Sequence, residues 1–207
     1  MTTVRVCLER GRTRVFASAL DWPGWARSGK GDEAALDALE SYAERYRPVA
    51  SRAGAPFPAR PVLSVVETVP GDATTEFGAP SIPSAFEELP LDPADRERRV
   101  RLVRAAWDLL DEVAGSAPAG LRKGPRGGGR DRDAIVAHVL EAERAYARKV
   151  GVRHPPLRAP GAVDALRTDL AAALLSGSHD GGWPTPYAIR RIAWHVLDHA
   201  WEIQDKS

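Results

Sequence analysis

His195 and His199 stand one helical turn apart in the segment Arg190–Trp201. Residues at i and i+4 of a helix share a face, with Cβ atoms roughly 5–6 Å apart. Two imidazoles so placed can meet one metal ion. The chain has five histidines, and a third, His138, lies in Ala134–Glu141, another stretch with helical patterning. Three neutral imidazoles plus a water form a common catalytic shell for a divalent ion. With about 100° per residue, Ile192, His195, Val196, His199 and Ile203 fall in one arc of the last helix, extended by Ile189, Ala193 and Ala200. His138 shares the apolar arc of Ile135, Val139, Ala142 and Tyr146. Facing helices commonly build metal sites from such inward side chains. The competing reading is a set of core histidines, each bonded to a carbonyl or carboxylate. Three inward histidines, two of them at i,i+4, carry the metal reading. Val196 stands where the helical metalloprotease motif has glutamate, which argues against a peptidase of that kind.

Two further features flank the histidines. Glu141, about one turn after His138, is placed to orient a ligand histidine or to act as a general base; the alternative is a solvated helix face. The loop Arg122–Arg132 holds five basic residues and opens onto the His138 helix. Arg126 and Arg130 are candidates to clamp a carboxylate or a thiolate-bearing ligand there; the alternative is a solvated loop. It lacks the terminal Lys–Ser/Thr of a phosphate-binding P-loop. Asp198 points away from the apolar arc, and His154 and His179 read as surface residues.

The elements that position these residues predict an α+β chain. Val4, Val6 and Leu8 alternate with polar residues, Glu9–Arg12 offers a turn, and a second run covers Val15 to Leu20, which predicts a β-hairpin. Asp21–Trp25 breaks it. Asp32 reads as an N-cap, Leu36, Leu39, Tyr42, Ala43 and Tyr46 keep helical spacing, and Pro48 ends the helix. A third strand runs from Val62 to Val69. Residues 71–91 read as a Pro/Gly/Ser/Thr-rich linker over the surface, pinned by Phe77, Ile82 and Phe86. From 92 onward four amphipathic helices are predicted: one opened by Asp92–Pro93 and stopped at Gly115, then about 131–150, 161–176 and 185–204. Together they suggest a four-helix bundle. The division is therefore a ββαβ unit over 1–70, a linker over 71–91 and a helical unit over 92–207. Trp194, Leu197 and Trp201 form a second apolar stripe on the last helix. It must pack against the N-terminal unit, the linker or a second copy in a homodimer.

Residues 93–204 resemble the DinB-like superfamily, which includes the YfiT-like proteins and the mycothiol-dependent maleylpyruvate isomerases. The resemblance is carried by Ile135–Val136–Ala137–His138–Val139–Leu140–Glu141 and Trp194–His195–Val196–Leu197–Asp198–His199. It implies a four-helix bundle with a divalent metal, zinc or nickel, held by His138, His195 and His199. It also implies transfer of a low-molecular-weight thiol, such as mycothiol or bacillithiol, to a small electrophile, or a related isomerisation. Residues 3–69 resemble the HicB-like ββαβ module through Asp21–Trp22–Pro23–Gly24–Trp25 and Asp32–Glu33–Ala34–Ala35, which implies a small interaction module.

Composition excludes several classes. A net charge of +1 gives no global field to draw nucleic acid or a membrane surface. Arg5, Arg10, Arg12, Arg14 and Arg27 are partly balanced by acids, which gives RNA binding no strong support. The lone cysteine, Cys7, excludes an intramolecular disulfide and reads as a buried structural thiol. There is no apolar signal core and no run of membrane-spanning length, which predicts a cytoplasmic protein. Two functions remain: a metal-dependent enzyme acting on a small molecule, or an interaction module whose N-terminal unit binds a protein or RNA partner while the helices support it.

Overall fold

Apolar alternation in the first twenty residues builds the start of a sheet. The computed structural model describes residues 2–124, 128–177, 179 and 182–207. β1 (Thr2–Arg10) and β2 (Val15–Ala19) pair antiparallel, with Val6 opposite Ala19 and Leu8 opposite Ala17. β3 (Ala26–Gly29) adds antiparallel to β2, and β4 (Pro61–Pro70) adds parallel to β1, giving the order β3-β2-β1-β4. Sequence periodicity missed β3, because four residues reading Ala-Arg-Ser-Gly carry no alternation.

The face holding Val4, Val6, Leu8, Val15, Ala17 and Ala19 packs on α1 (Asp32–Ser41) and α2 (Ala43–Arg52). Two corrections apply here. Gly31, not Asp32, is the N-cap of α1; the Asp32 carboxylate pairs with Arg10 instead. Pro48 does not end a helix. The chain breaks at Tyr42 and α2 runs through Pro48. That forfeits the bond residue 48 would give to the Glu44 carbonyl. The burial of Tyr46, Val49 and Ala50 offsets the loss. Tyr46 stacks on Trp25 at 5.8 Å, and its hydroxyl donates to the Pro23 carbonyl at 2.8 Å.

The opposite face of the sheet meets the segment after β4. α3 (Ala73–Phe77) and a single 3-10 turn (Ala85–Glu87) lie in it. Two of the three expected apolar pins do not hold it: Phe77 is 91% exposed and Phe86 40%, while Ile82 is half-buried. Carboxylates do. Glu9, buried on β1, accepts from the backbone N–H groups of Ser81 and Ile82 and from the Thr75 hydroxyl. Glu67 accepts from the Ala85 N–H and the Ser84 hydroxyl. Cys7 lies on this same face, where burial pushes its thiol up to about 12.

Four long helices follow: α4 (Pro93–Ser116), α5 (Arg132–Lys149), α6 (Ala162–Ser176) and α7 (Thr185–Lys206). Asp92 caps α4 by accepting from the N–H groups of Ala94 and Asp95, with Pro93 in the first turn. α7 is nearly all buried from Thr185 to Leu197, since it touches α4 and α5 on one side and the sheet on the other. Its second apolar stripe is covered by the N-terminal unit. Trp194 meets Phe16 edge-on at 5.9 Å, and Trp201 meets Tyr42 at 5.1 Å. Gly24 comes so close that a Cβ there would lie 2.6 Å from Leu197 Cδ1. One continuous buried cluster runs from Val4 to Ile203. Among the described residues, no helix is long and apolar enough to cross a membrane.

One buried acid predicts a pH dependence of stability. Glu143 of α5 is fully buried, with the Arg167 guanidinium 3.5 Å away and neither carboxylate oxygen accepting a well-formed hydrogen bond. Burial pushes its carboxyl from 4.5 up to about 7, against the pull of Arg167. The unfolded chain therefore releases this proton first, and stability falls as pH rises through that window. The separation is worth about 3 kcal/mol. Urea unfolding of wild type and Glu143→Gln at pH 5 and pH 8 checks it. The balance is expected to shift toward the glutamine variant by about 2–3 kcal/mol at the higher pH. A difference that stays constant contradicts the assignment.

Candidate metal centre

The sequence spacing of His195 and His199 becomes a real juxtaposition because α5 packs directly on α7. His138 faces inward from α5 and meets both. Nε2 of His195 lies 3.3 Å from Nε2 of His138. Ring centroids are 5.1 Å apart for His138–His195, 5.0 Å for His138–His199 and 4.7 Å for His195–His199. One nitrogen from each of the three lies within 4.8 Å of the others. These histidines are close enough to bind a metal ion. Two nitrogens about 2.0–2.1 Å from a tetrahedral ion stand about 3.3–3.4 Å apart. The His138–His195 spacing therefore fits an ion with little movement.

Burial grades across the cluster. His195 is 7% exposed, while His138 and His199 are half-buried and give the cluster an open side. Burial, followed by the charges of His199 and Arg191, pulls His195 down to about 2. His138 is also lowered, by burial, by His199 and by Arg130. Nδ1 of His195 is sealed without a partner, so nothing stabilises an imidazolium there. Two imidazoles are held neutral with ring nitrogens facing one another. That arrangement rejects protons and suits a Lewis acid.

His199 is oriented from behind. Its Nδ1 stands 2.7 Å from Oε2 of Glu202, one turn along α7. The hydrogen bond from His199, with that from Lys206, holds the Glu202 carboxyl down to about 2. A carboxylate only accepts, so Nδ1 carries the proton and the Nε2 lone pair is left for the cluster. A carboxylate behind a ligand histidine fixes its tautomer and ring orientation.

The other sequence candidates divide. Glu141 points to solvent and pairs with Arg144 at 2.8 Å, and the carboxylate that touches a histidine of the cluster is Glu202. Helical periodicity does not single out Glu202; its one signal in the sequence is the three-residue spacing from His199. Arg130 is exposed, yet its charge reaches both His138 and His195. Arg126 lies outside the described residues. Asp198 pairs with Arg27 at 2.8 Å, and His154 with Asp169 at 2.8 Å. A cleft of about 270 Å³ is lined by Arg27, Tyr42, Trp201 and Glu202 among others, so it borders the carboxylate behind His199 but none of the three histidines. Comparisons with models of protein families, with curated proteins and with solved structures find no match for this chain.

Proposed function

We propose that the chain is a metal-dependent enzyme of the DinB-like type, with α4–α7 as its four-helix bundle. His138, His195 and His199 would hold one divalent ion, zinc or nickel, with a position left open to substrate. The observation that carries this reading is the 3.3 Å approach of two imidazole nitrogens backed by the Glu202–His199 hydrogen bond. When bound, such an ion supplies Lewis acidity: it lowers the pKa of a thiol or water that meets it and polarises an electrophile. The protein's own contributions are separate. Glu202 fixes the tautomer of His199, the sealed pocket of His195 keeps that ring neutral, and Arg130 adds positive charge toward the open side. The resemblance to thiol-using isomerases favours a low-molecular-weight thiol as co-substrate, and the N-terminal sheet covers the back of α7.

The alternative is a non-catalytic interaction module. It draws on β4, an edge strand with Val62, Val65 and Val66 exposed, as a surface for a protein or RNA partner.

Titration of the cobalt-loaded chain with mycothiol or bacillithiol separates the two. A sulfur-to-cobalt charge-transfer band that saturates at one thiol per ion is expected. Cobalt that binds without any thiol band removes thiol chemistry. Failure to bind cobalt removes the enzyme reading altogether.

A further inference from the structure

Arg191 sits one turn before His195 on α7 and is 7% exposed. Its guanidinium makes no hydrogen bond or ion pair among the described residues, and Nη1 is sealed from solvent with no acceptor. The other buried arginines are satisfied. Arg190 pairs with Glu87 at 2.5 Å, and Arg99 pairs with Asp95 at 2.7 Å and donates to the Leu20 carbonyl at 2.5 Å. A buried donor on a charged group without a partner is costly, and more so than a neutral one.

The surroundings show what Arg191 faces. Its Cζ lies 5.4 Å from the Tyr146 ring centre and 4.8 Å from that of Trp194. Both rings also border His195, at 5.6 Å and 6.1 Å between centroids. Arg191 and His195 therefore flank the same two aromatics. Cation–π contacts hold the guanidinium in place but supply no acceptor, so Nη1 stays without a partner. Arg191, His195 and His199 follow each other at four-residue steps, which lines them along one side of α7.

We propose that Arg191 is an anion-binding residue beside the histidine cluster, taking the carboxylate of a small ligand whose other end reaches His138, His195 and His199. A planar guanidinium matches a carboxylate through two parallel N–H···O bonds. The ligand would thereby be oriented by one fixed contact and presented to the cluster by the other. The proposal rests on the metal reading above for what the far end of the ligand meets; the anion contact itself does not.

Acetate is the probe, read in two ways. The first is the visible spectrum of the cobalt-loaded chain. The second is the rise in Tm of the metal-free chain. Arg191→Met removes the charge and the fork while keeping an apolar stem. Arg191→Lys keeps the charge and loses the fork, and serves if the methionine variant does not fold. Acetate is expected to bind wild type about tenfold or more tighter than Arg191→Met, with Arg191→Lys between them. All three are expected to take up one cobalt per chain. Equal acetate affinity in wild type and variants overturns the proposal and leaves Arg191 as a stacked structural cation. No acetate effect on wild type in either readout also overturns it. Cobalt uptake failing while acetate still raises Tm overturns the metal centre and leaves the anion site standing.

Discussion

Arg190→Met is expected to lower the stability of the chain by about 3–5 kcal/mol, as removal of one partner from a buried ion pair does. Arg190 on α7 and Glu87 in the 3-10 turn are 4% and 2% exposed. Their nitrogens and oxygens meet at 2.5 Å and 3.0 Å, and Arg190 also donates to the Ile82 carbonyl at 3.0 Å. The attraction of Glu87 holds the guanidinium charged despite full burial. With methionine at 190, the Glu87 carboxylate keeps its burial and loses its counter-charge. It also loses the anchor that ties the 71–91 segment to α7. Glu87→Gln combined with Arg190→Met is expected to recover much of the loss, since most of the cost is the stranded charge rather than the pair itself. Urea unfolding of the single and double variants measures both. A single variant within about 1 kcal/mol of wild type contradicts the account.

His195→Ala is expected to weaken zinc binding by on the order of a hundred- to a thousandfold, because four-ligand sites bind with about 10–16 kcal/mol shared among their ligands. The fold is expected to survive, since His195 contributes an orphaned Nδ1 rather than a satisfied network. Glu202→Gln keeps all three imidazoles and loses the carboxylate that fixes His199; about a ten- to hundredfold loss is expected. Glu141→Gln is the control. That side chain is paired with Arg144 at the surface, and its replacement is expected to leave zinc affinity unchanged. Competition with a chromophoric chelator ranks the four proteins. A Glu141 variant weaker than the Glu202 variant would reverse the assignment of the supporting carboxylate.

These expectations divide along what a sequence can show. The inward faces of His138, His195 and His199 were legible because helical periodicity fixes direction, and α5 and α7 run almost where the pattern places them. The second stripe of Trp194, Leu197 and Trp201 was legible for the same reason, and so was its need for a cover. Glu202 and Arg191 were not. A helical wheel gives an arc but no rotamer, and a charged residue at the edge of an arc reads as solvated. The 71–91 segment shows the same limit. Its Glu87, with Glu9 and Glu67 of the sheet, looks like surface charge in sequence, yet these carboxylates bond the segment down while the expected pin Phe77 stays exposed. Pro48 was misread because local propensity is weighed without the burial of Val49 and Ala50 that overrides it.

X-ray absorption at the zinc edge of the reconstituted chain tests the central claim most directly. The account predicts one zinc per chain with three imidazole nitrogens at about 2.0–2.1 Å and one further light ligand. A chain that takes up no stoichiometric zinc, or a shell with fewer than three imidazoles, contradicts it.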